Sequence, residues 1–216
     1  NNFIVNGTKN WVTSGENCDL IIFFCKTEKG AGSKGISAFI IEKGTPGLTT
    51  GKKEEKLGIR ASDTCELYFD NCVIPASNLI GSPGQGFSIA MQALGGGRIG
   101  IASQSVGLAR SALDKTISYS KEREQFGKII AKFGAIQNKI ADMATNIEAA
   151  RLLVMQAAML KDQGKEYIKE SSMAKLFASS TAMSAATECV QVHGGYGYIQ
   201  EYLSLIHISE PTRLPG

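Results

Sequence analysis

Residues 65–94 read CELYFDNCVIPASNLIGSPGQGFSIAMQAL, and a change of period inside this stretch decides the fold. On its N-terminal side Cys65, Leu67 and Phe69 alternate with Glu66, Tyr68 and Asp70, the pattern of a strand with one face in water. After NLIGSPGQGF (78–87) the spacing becomes three and four. Ile99, Ala102, Val106, Ala109, Leu113 and Ile117 then form one stripe of a helix. Glycine and proline punctuate the changeover. One chain therefore carries two architectures in sequence order.

Toward the N-terminus, FIVNGTKNWVTS (3–14) has two strand-like runs flanking Asn6-Gly7, which predicts a β-hairpin. DLIIFFCKT (19–27) and GISAFIIEKG (35–44) are rich in β-branched and aromatic residues. No helical stretch interrupts these strands, so an antiparallel sandwich or barrel follows, with little room for a parallel βαβ sheet. Toward the C-terminus, Ile136, Ile140, Met143, Ile147, Ala150, Val154 and Ala157 repeat the helical stripe. That helix is expected to end near KDQGK (161–165), where Gly164 suits a C-terminal cap. A third helix, rich in Ala and Ser, is expected over roughly 167–192. Long antiparallel helices on short links imply a bundle. The expected fold class is α+β multidomain: a β-sandwich or barrel over 1–80, then a helical-bundle domain over 81–202.

Composition excludes several function classes. In 216 residues, 43% are hydrophobic and 20% charged, as in a globular protein with a sizeable core. A net charge of +3 and the lack of a basic run interleaved with aromatics argue against nucleic acid as a partner. The apolar runs are too short for a membrane span, so no membrane partner is expected. Five cysteines, an odd number with no CxxC pair, read as reduced thiols of an intracellular compartment. NNFIVNGTKNW (1–11) reads as mid-domain strand rather than as a targeting segment.

Four local constellations are candidates for chemistry. Trp11, the only tryptophan, and Thr13 share a face if their segment is a strand, presenting an indole and a hydroxyl together; a core Trp at a sheet edge is the plainer alternative. KEREQFGK (121–128) sets Arg123 beside a Phe126-Gly127 break, which suits a phosphate or, more plainly, a solvated charge cluster. GGGRIG (95–100) places Arg98 behind three glycines at a helix start, where amides receive an anion, or at a mere helix-breaking joint. QVHGGYGY (191–198) follows a helix, which excludes a Rossmann fingerprint; Gly194-Gly195 could equally be a Schellman-type stop. His193 and His207 have no partners at ligand spacing, so no metal is expected.

These pieces, in this order, resemble the acyl-CoA dehydrogenase family, most closely its short-chain (butyryl-CoA) branch. The resemblance runs from Phe3 to Tyr202 and rests on NGTKNWVTSG (6–15), KLGIRASDTCELYFDNCVIP (56–75), GQGFSIAMQAL (84–94), GRIGIASQSVGLARSALD (97–114), REQFGK (123–128), IQNKIADMA (136–144), AAMLKDQGK (157–165) and QVHGGYGYIQEY (191–202). It implies an N-terminal helical domain ahead of this chain, a middle β domain and a C-terminal four-helix bundle. It also implies FAD-dependent α,β-dehydrogenation of short-chain acyl-CoA thioesters in fatty acid β-oxidation. A glutamate would remove the α proton, the β hydrogen would leave as hydride to the flavin, and electrons would pass to electron-transferring flavoprotein. An acyl-CoA oxidase-like enzyme and a non-catalytic bundle protein of the same fold are the alternatives.

Carried over residue by residue, Trp11 resembles the tryptophan packed on the flavin ring and Thr13 the hydroxyl bonded to flavin N5. Arg123 and Phe126 resemble contacts to the FAD of a neighbouring subunit, Arg123 at the pyrophosphate. Gln191, Gly194 and Gly195 resemble the segment cradling the ADP half, and Arg98 the arginine beneath the substrate. The resemblance further implies a homotetramer in the mitochondrial matrix or a bacterial cytoplasm.

Departures accompany the matches. Gly95 replaces the family's usual acid before the glycine run, and Gly134 replaces a glutamine often found after Phe133. Gly97 stands where another branch carries its base. The catalytic glutamate is expected beyond Tyr202, and none of its surrounding motif is in the sequence. Residues 203–216, LSLIHISEPTRLPG, read as a non-native tail, so the chain by itself is expected to be inactive.

Overall fold

The computed structural model describes residues 2–56 and 58–199. The chain forms two compact units that divide between Gln92 and Ala93. In the first, strands β1 (Asn2–Thr13), β2 (Leu20–Lys26), β3 (Ile36–Glu42), β4 (Leu48–Lys53), β5 (Thr64–Pro75) and β6 (Leu79–Ile80) build two antiparallel sheets. Their orders are β1-β5-β4 and β2-β3-β6. Ile21, Phe23, Phe39 and Ile41 from one sheet meet Cys65, Leu67, Phe69 and Ile74 from the other in a single core. The unit is therefore a sandwich. Phe39 packs edge-on against Phe3 at 4.9 Å between centroids, and Phe23 lies 4.8 Å from Phe69. Each fully buried side chain of this core, Phe39 among them, contributes about 1.5–3 kcal/mol.

The hairpin predicted at Asn6-Gly7 does not form. β1 runs through it as one strand, pairing Val5 with Cys72 and Gly7 with Phe69. Asn6 thus stands alone opposite Asp70 and Asn71, a β-bulge on β5. The Asn6 Oδ1 accepts the Asn71 backbone N–H at 2.7 Å, and Asn71 takes a left-handed φ of 47°. The bulge moves the inward phase of β5 by one residue, from Cys65, Leu67 and Phe69 to Cys72 and Ile74. A local turn signal was overridden by a long-range pairing.

The second unit is helical. Helix α1 (Gly86–Glu122), which belongs to this unit from Ala93 onward, leads through the small hairpin of β7 (Glu124–Gln125) and β8 (Lys128–Ile129) to α2 (Gly134–Asp162) and α3 (Ile168–His193). These are three long helices of a bundle among the described residues. On α3 the buried stripe is Ser171, Ala174, Ala178, Thr181, Ala185 and Cys189, small residues that let helices approach closely. Ala109, Ala112 and Leu113 of α1 join Met143 and Ile147 of α2 and Ala185, Ala186 and Cys189 of α3 in one cluster. Lys139 and Glu188 pair across α2 and α3. Gly164 (φ 67°) ends α2 in a Schellman motif: its N–H donates to the Lys161 carbonyl, and the Lys165 N–H to that of Leu160. All five cysteines are free.

Candidate functional site

Tyr119 and Arg123 are four residues apart at the end of α1, where the Arg123 N–H still donates to the Tyr119 carbonyl at 2.9 Å. The chain then turns through Phe126 (φ 53°) and Gly127 (φ 76°), two left-handed residues as a type I′ hairpin requires. The Ile130 N–H returns to the Arg123 carbonyl at 2.8 Å and ties the hairpin to the helix end.

α3 stops nearby in the helical unit. Gly194 has φ 58° and ψ −132°, a conformation open in practice to glycine alone, and its N–H donates to the Gln191 carbonyl. This is not the Schellman geometry considered from sequence, because ψ lies far from left-handed helix. A short 3₁₀ turn, Gly194–Tyr198, follows. Gly197 lets that turn lie against α3, since a Cβ there would stand 2.6 Å from the Val190 carbonyl oxygen.

Between these features lies a cleft of about 470 Å³, walled by Tyr119, Arg123, Gln125, Gly194, Gly195 and Tyr196. The Arg123 guanidinium sits 5.1 Å from the centre of the Tyr196 ring, a cation–π distance. A Cβ at Gly194 or Gly195 would meet no described atom within 4 Å, so bare backbone faces open space there. His193, also in the lining, is 5% exposed, stacks on Tyr119 at 4.1 Å and places Nδ1 2.8 Å from the Cys189 carbonyl. Because that carbonyl only accepts, Nδ1 carries the proton. Burial pushes the His193 pKa below its ordinary value of 6.5, keeping the ring neutral near pH 7. A fixed cation, an aromatic face and unobstructed backbone make a site for a phosphate-bearing, ring-containing ligand.

Arg123, Gly194 and Gly195 thus come together. Gln191 lies one turn earlier with an exposed side chain, and its part is the carbonyl that caps α3. Phe126 is 92% exposed at the hairpin tip and is not in the cleft lining. Arg98 is half-buried on α1, away from any helix start. The expectation of free amides behind GGGRIG is incorrect: Gly95–Gly97 lie within the 37-residue α1, where the helical ladder uses their N–H groups. Packing outweighs the poor helix propensity of glycine here, because a Cβ at Gly95 would stand 2.5 Å from Ile168 Cδ1. Gly134 opens α2.

In the other unit, Trp11 and Thr13 stand near the end of β1. The register places Asn10 and Trp11 opposite Glu66 alone, a second bulge, with Trp11 at φ 57°. Without it, Trp11 would share the inward phase of Phe3 and Val5. With it, Val12 packs on the core, while Trp11, 67% exposed, and Thr13 both face outward.

Of the lining residues, Tyr119, Gln125, His193 and Tyr196 were not singled out from sequence as ligand-facing. Tyr119 was findable from its spacing of four to Arg123, and Tyr196 from its place between glycines. The catalytic base expected beyond Tyr202 and the tail 203–216 fall outside the described residues. Among those described, no helix is long and apolar enough to cross a membrane.

Residues 84–210 match the acyl-CoA dehydrogenase C-terminal domain, and residues 1–72 the acyl-CoA dehydrogenase middle domain. The chain is 50% identical over 199 residues to the mitochondrial short-chain specific acyl-CoA dehydrogenase of Rattus norvegicus, covering 92% of this chain and 48% of that one. Against butyryl-CoA dehydrogenase from Megasphaera elsdenii the TM-score is 0.92 at 49% identity, covering 96% of this chain and 54% of that one. A chain in a structure of the electron transferring flavoprotein of Acidaminococcus fermentans gives a TM-score of 0.91 at 51% identity, with 96% and 55% covered. The chain spans about half the length of the curated relatives it matches. It belongs to the acyl-CoA dehydrogenase family.

Proposed function

We propose that this chain is part of an FAD-dependent enzyme that desaturates short-chain acyl-CoA thioesters between the α and β carbons and passes the electrons to electron-transferring flavoprotein. The observation that carries it is the cleft in which Arg123 stands over Tyr196 beside the bare backbone of Gly194 and Gly195. Its cation and its glycine wall fit the phosphates and adenylate of FAD. Bound FAD supplies the hydride acceptor.

The residues of the chain divide the remaining work. Arg123 neutralises the pyrophosphate of a neighbouring subunit's FAD, and Gln191, Gly194 and Gly195 belong to the segment that cradles the ADP half. Trp11 offers a flat indole to the flavin ring, and Thr13 donates a hydroxyl hydrogen bond to it. Phe126, projecting from its hairpin, packs on the FAD of a neighbouring subunit in a homotetramer. Arg98 lies beneath the substrate. Catalysis of this kind is mostly positioning and stabilisation of the thioester oxygen. No proton acceptor is assigned among the described residues. The working compartment is the mitochondrial matrix or a bacterial cytoplasm.

The test is an FAD titration followed through Trp11 emission, then addition of butyryl-CoA to the product of the complete reading frame. Quenched emission and bleached flavin absorbance are expected. A complete product that carries no flavin, or whose flavin butyryl-CoA leaves oxidised, overturns the reading.

A further inference from the structure

Two residues near the end of β1 hold conformations disfavoured for side chains with a Cβ: Trp11 at φ 57° and Ser14 at φ 61°. Such backbone persists only where its surroundings fix it; the β5 register fixes the bulge at Trp11, and Asp63 fixes the turn that begins at Ser14. The Asp63 carbonyl accepts the Ser14 N–H at 3.0 Å. The Asp63 Oδ2 accepts the Glu16 N–H at 2.8 Å, and Oδ1 accepts from Asn17 Nδ2 at 3.0 Å. The turn closes with the N–H groups of Asn17 and Cys18 on the Ser14 carbonyl, at 3.2 and 2.9 Å.

Asp63 is 4% exposed and forms no salt bridge among the described residues. Its hydrogen bonds, that from Asn17 foremost, hold its pKa below the usual carboxylate value. The next two residues, Thr64 and Cys65, pair with Thr13 and Val12. A Cβ at Gly15 would lie 2.6 Å from Cys65 Sγ, so the turn is seated tightly on the sheet. The same short segment therefore anchors the strand end and caps the turn after it. A buried carboxylate with no direct ion pair is a demanding way to cap a turn, and the charge of Lys53 is the smallest of the influences that favour its ionised form. What it adds is acceptor capacity on both oxygens, used by the Glu16 N–H on one and the Asn17 amide on the other.

We propose that Asp63 is a positioning residue for the flavin-facing end of β1, its carboxylate holding the turn that fixes how Trp11 and Thr13 are presented. This rests on the reading of Trp11 and Thr13 as flavin contacts. The experiment measures FAD affinity and, without ligand, the fluorescence anisotropy of Trp11, the only tryptophan. Asp63→Ala is expected to weaken FAD binding about tenfold and to lower the anisotropy. In Asp63→Asn the Asn17 amide can turn round to accept from the new NH₂, so affinity stays within about threefold of wild type. Ile21→Val, in the core of the same unit, controls for general destabilisation and should leave both readings unchanged.

A folded Asp63→Ala protein with wild-type affinity and anisotropy overturns the proposal, as does an Ile21→Val protein that reproduces its losses. Should Asp63→Ala not fold, Asn17→Ala removes the Oδ1 donor alone. It is expected to lower the anisotropy and weaken binding about threefold, and unchanged values overturn the proposal. If the wild-type chain binds no FAD, the functional reading fails separately. Anisotropy in the variants then still decides the role of Asp63.

Discussion

Replacing Gly197 with alanine would put a methyl group 2.6 Å from the Val190 carbonyl oxygen and 3.1 Å from both Val190 Cα and Cγ1. Two of those three atoms are backbone of α3, so they cannot swing aside as a flexible side chain would. Restoring an ordinary carbon–oxygen contact of about 3.3 Å requires the turn to shift by roughly 0.7 Å. Overpacking of this kind costs about 1–3 kcal/mol. The lower entropy of the unfolded alanine chain offsets about 0.4–1 kcal/mol of it. The net expectation is a loss of about 1–2 kcal/mol, or about 3–6 °C in melting temperature at this size. The same shift moves Gly194, Gly195 and Tyr196, so FAD affinity should fall as well. Gly195→Ala is the control: its methyl meets no described atom and its φ is not left-handed. It should leave stability within about 0.5 kcal/mol of wild type while a methyl group in the cleft weakens FAD binding. Thermal unfolding followed by circular dichroism, with an FAD titration of each variant, makes the measurement. A Gly197→Ala protein that melts at or above the wild-type temperature refutes the close-approach argument.

Two other perturbations test the wall and the rim of the cleft. Because burial depresses the His193 pKa, the unfolded chain binds the extra proton first, so stability holds above pH 6.5 and falls as pH drops below it toward the folded pKa. Chemical denaturation from pH 7.5 to about 5 should show that loss, and His193→Gln should flatten it. At the hairpin tip, Phe126→Gly removes a left-handed phenylalanine and an exposed ring, so stability should change by less than about 1 kcal/mol. Sedimentation and FAD titration of the complete product should nevertheless show weaker assembly or binding; wild-type values on both would remove Phe126 from the site.

Much of the fold was legible because period carries burial directly. The stripe from Ile136 to Ala157 and the alternation of Cys65, Leu67 and Phe69 each name the face that meets the core, and helices and strands appear there. Gly164 was readable for a local reason, since its left-handed φ is set within one turn of chain. Helix starts were harder to read. Phe133 and Tyr167 precede α2 and α3 without side-chain caps, so the usual polar signal is missing at both. Asn6-Gly7 and GGGRIG misled because local propensity favours a turn and a helix break, whereas distant partners decided both. Those partners are Asn71 across the sheet and Ile168 on α3.

The site divides in the same way. Sequence alone supplied the residue types: a lone tryptophan near a threonine, an arginine before a glycine, and glycines after a helix. Their order along the chain placed the strands before the helices and carried the family resemblance. Only the tertiary structure set Arg123 beside Gly194 and Gly195, because residues about 70 apart meet through helix packing that no local period encodes. Only it turned Trp11 outward. The residue count between pairing partners is fixed by both strands together, and one extra residue in a bulge reverses every side chain after it.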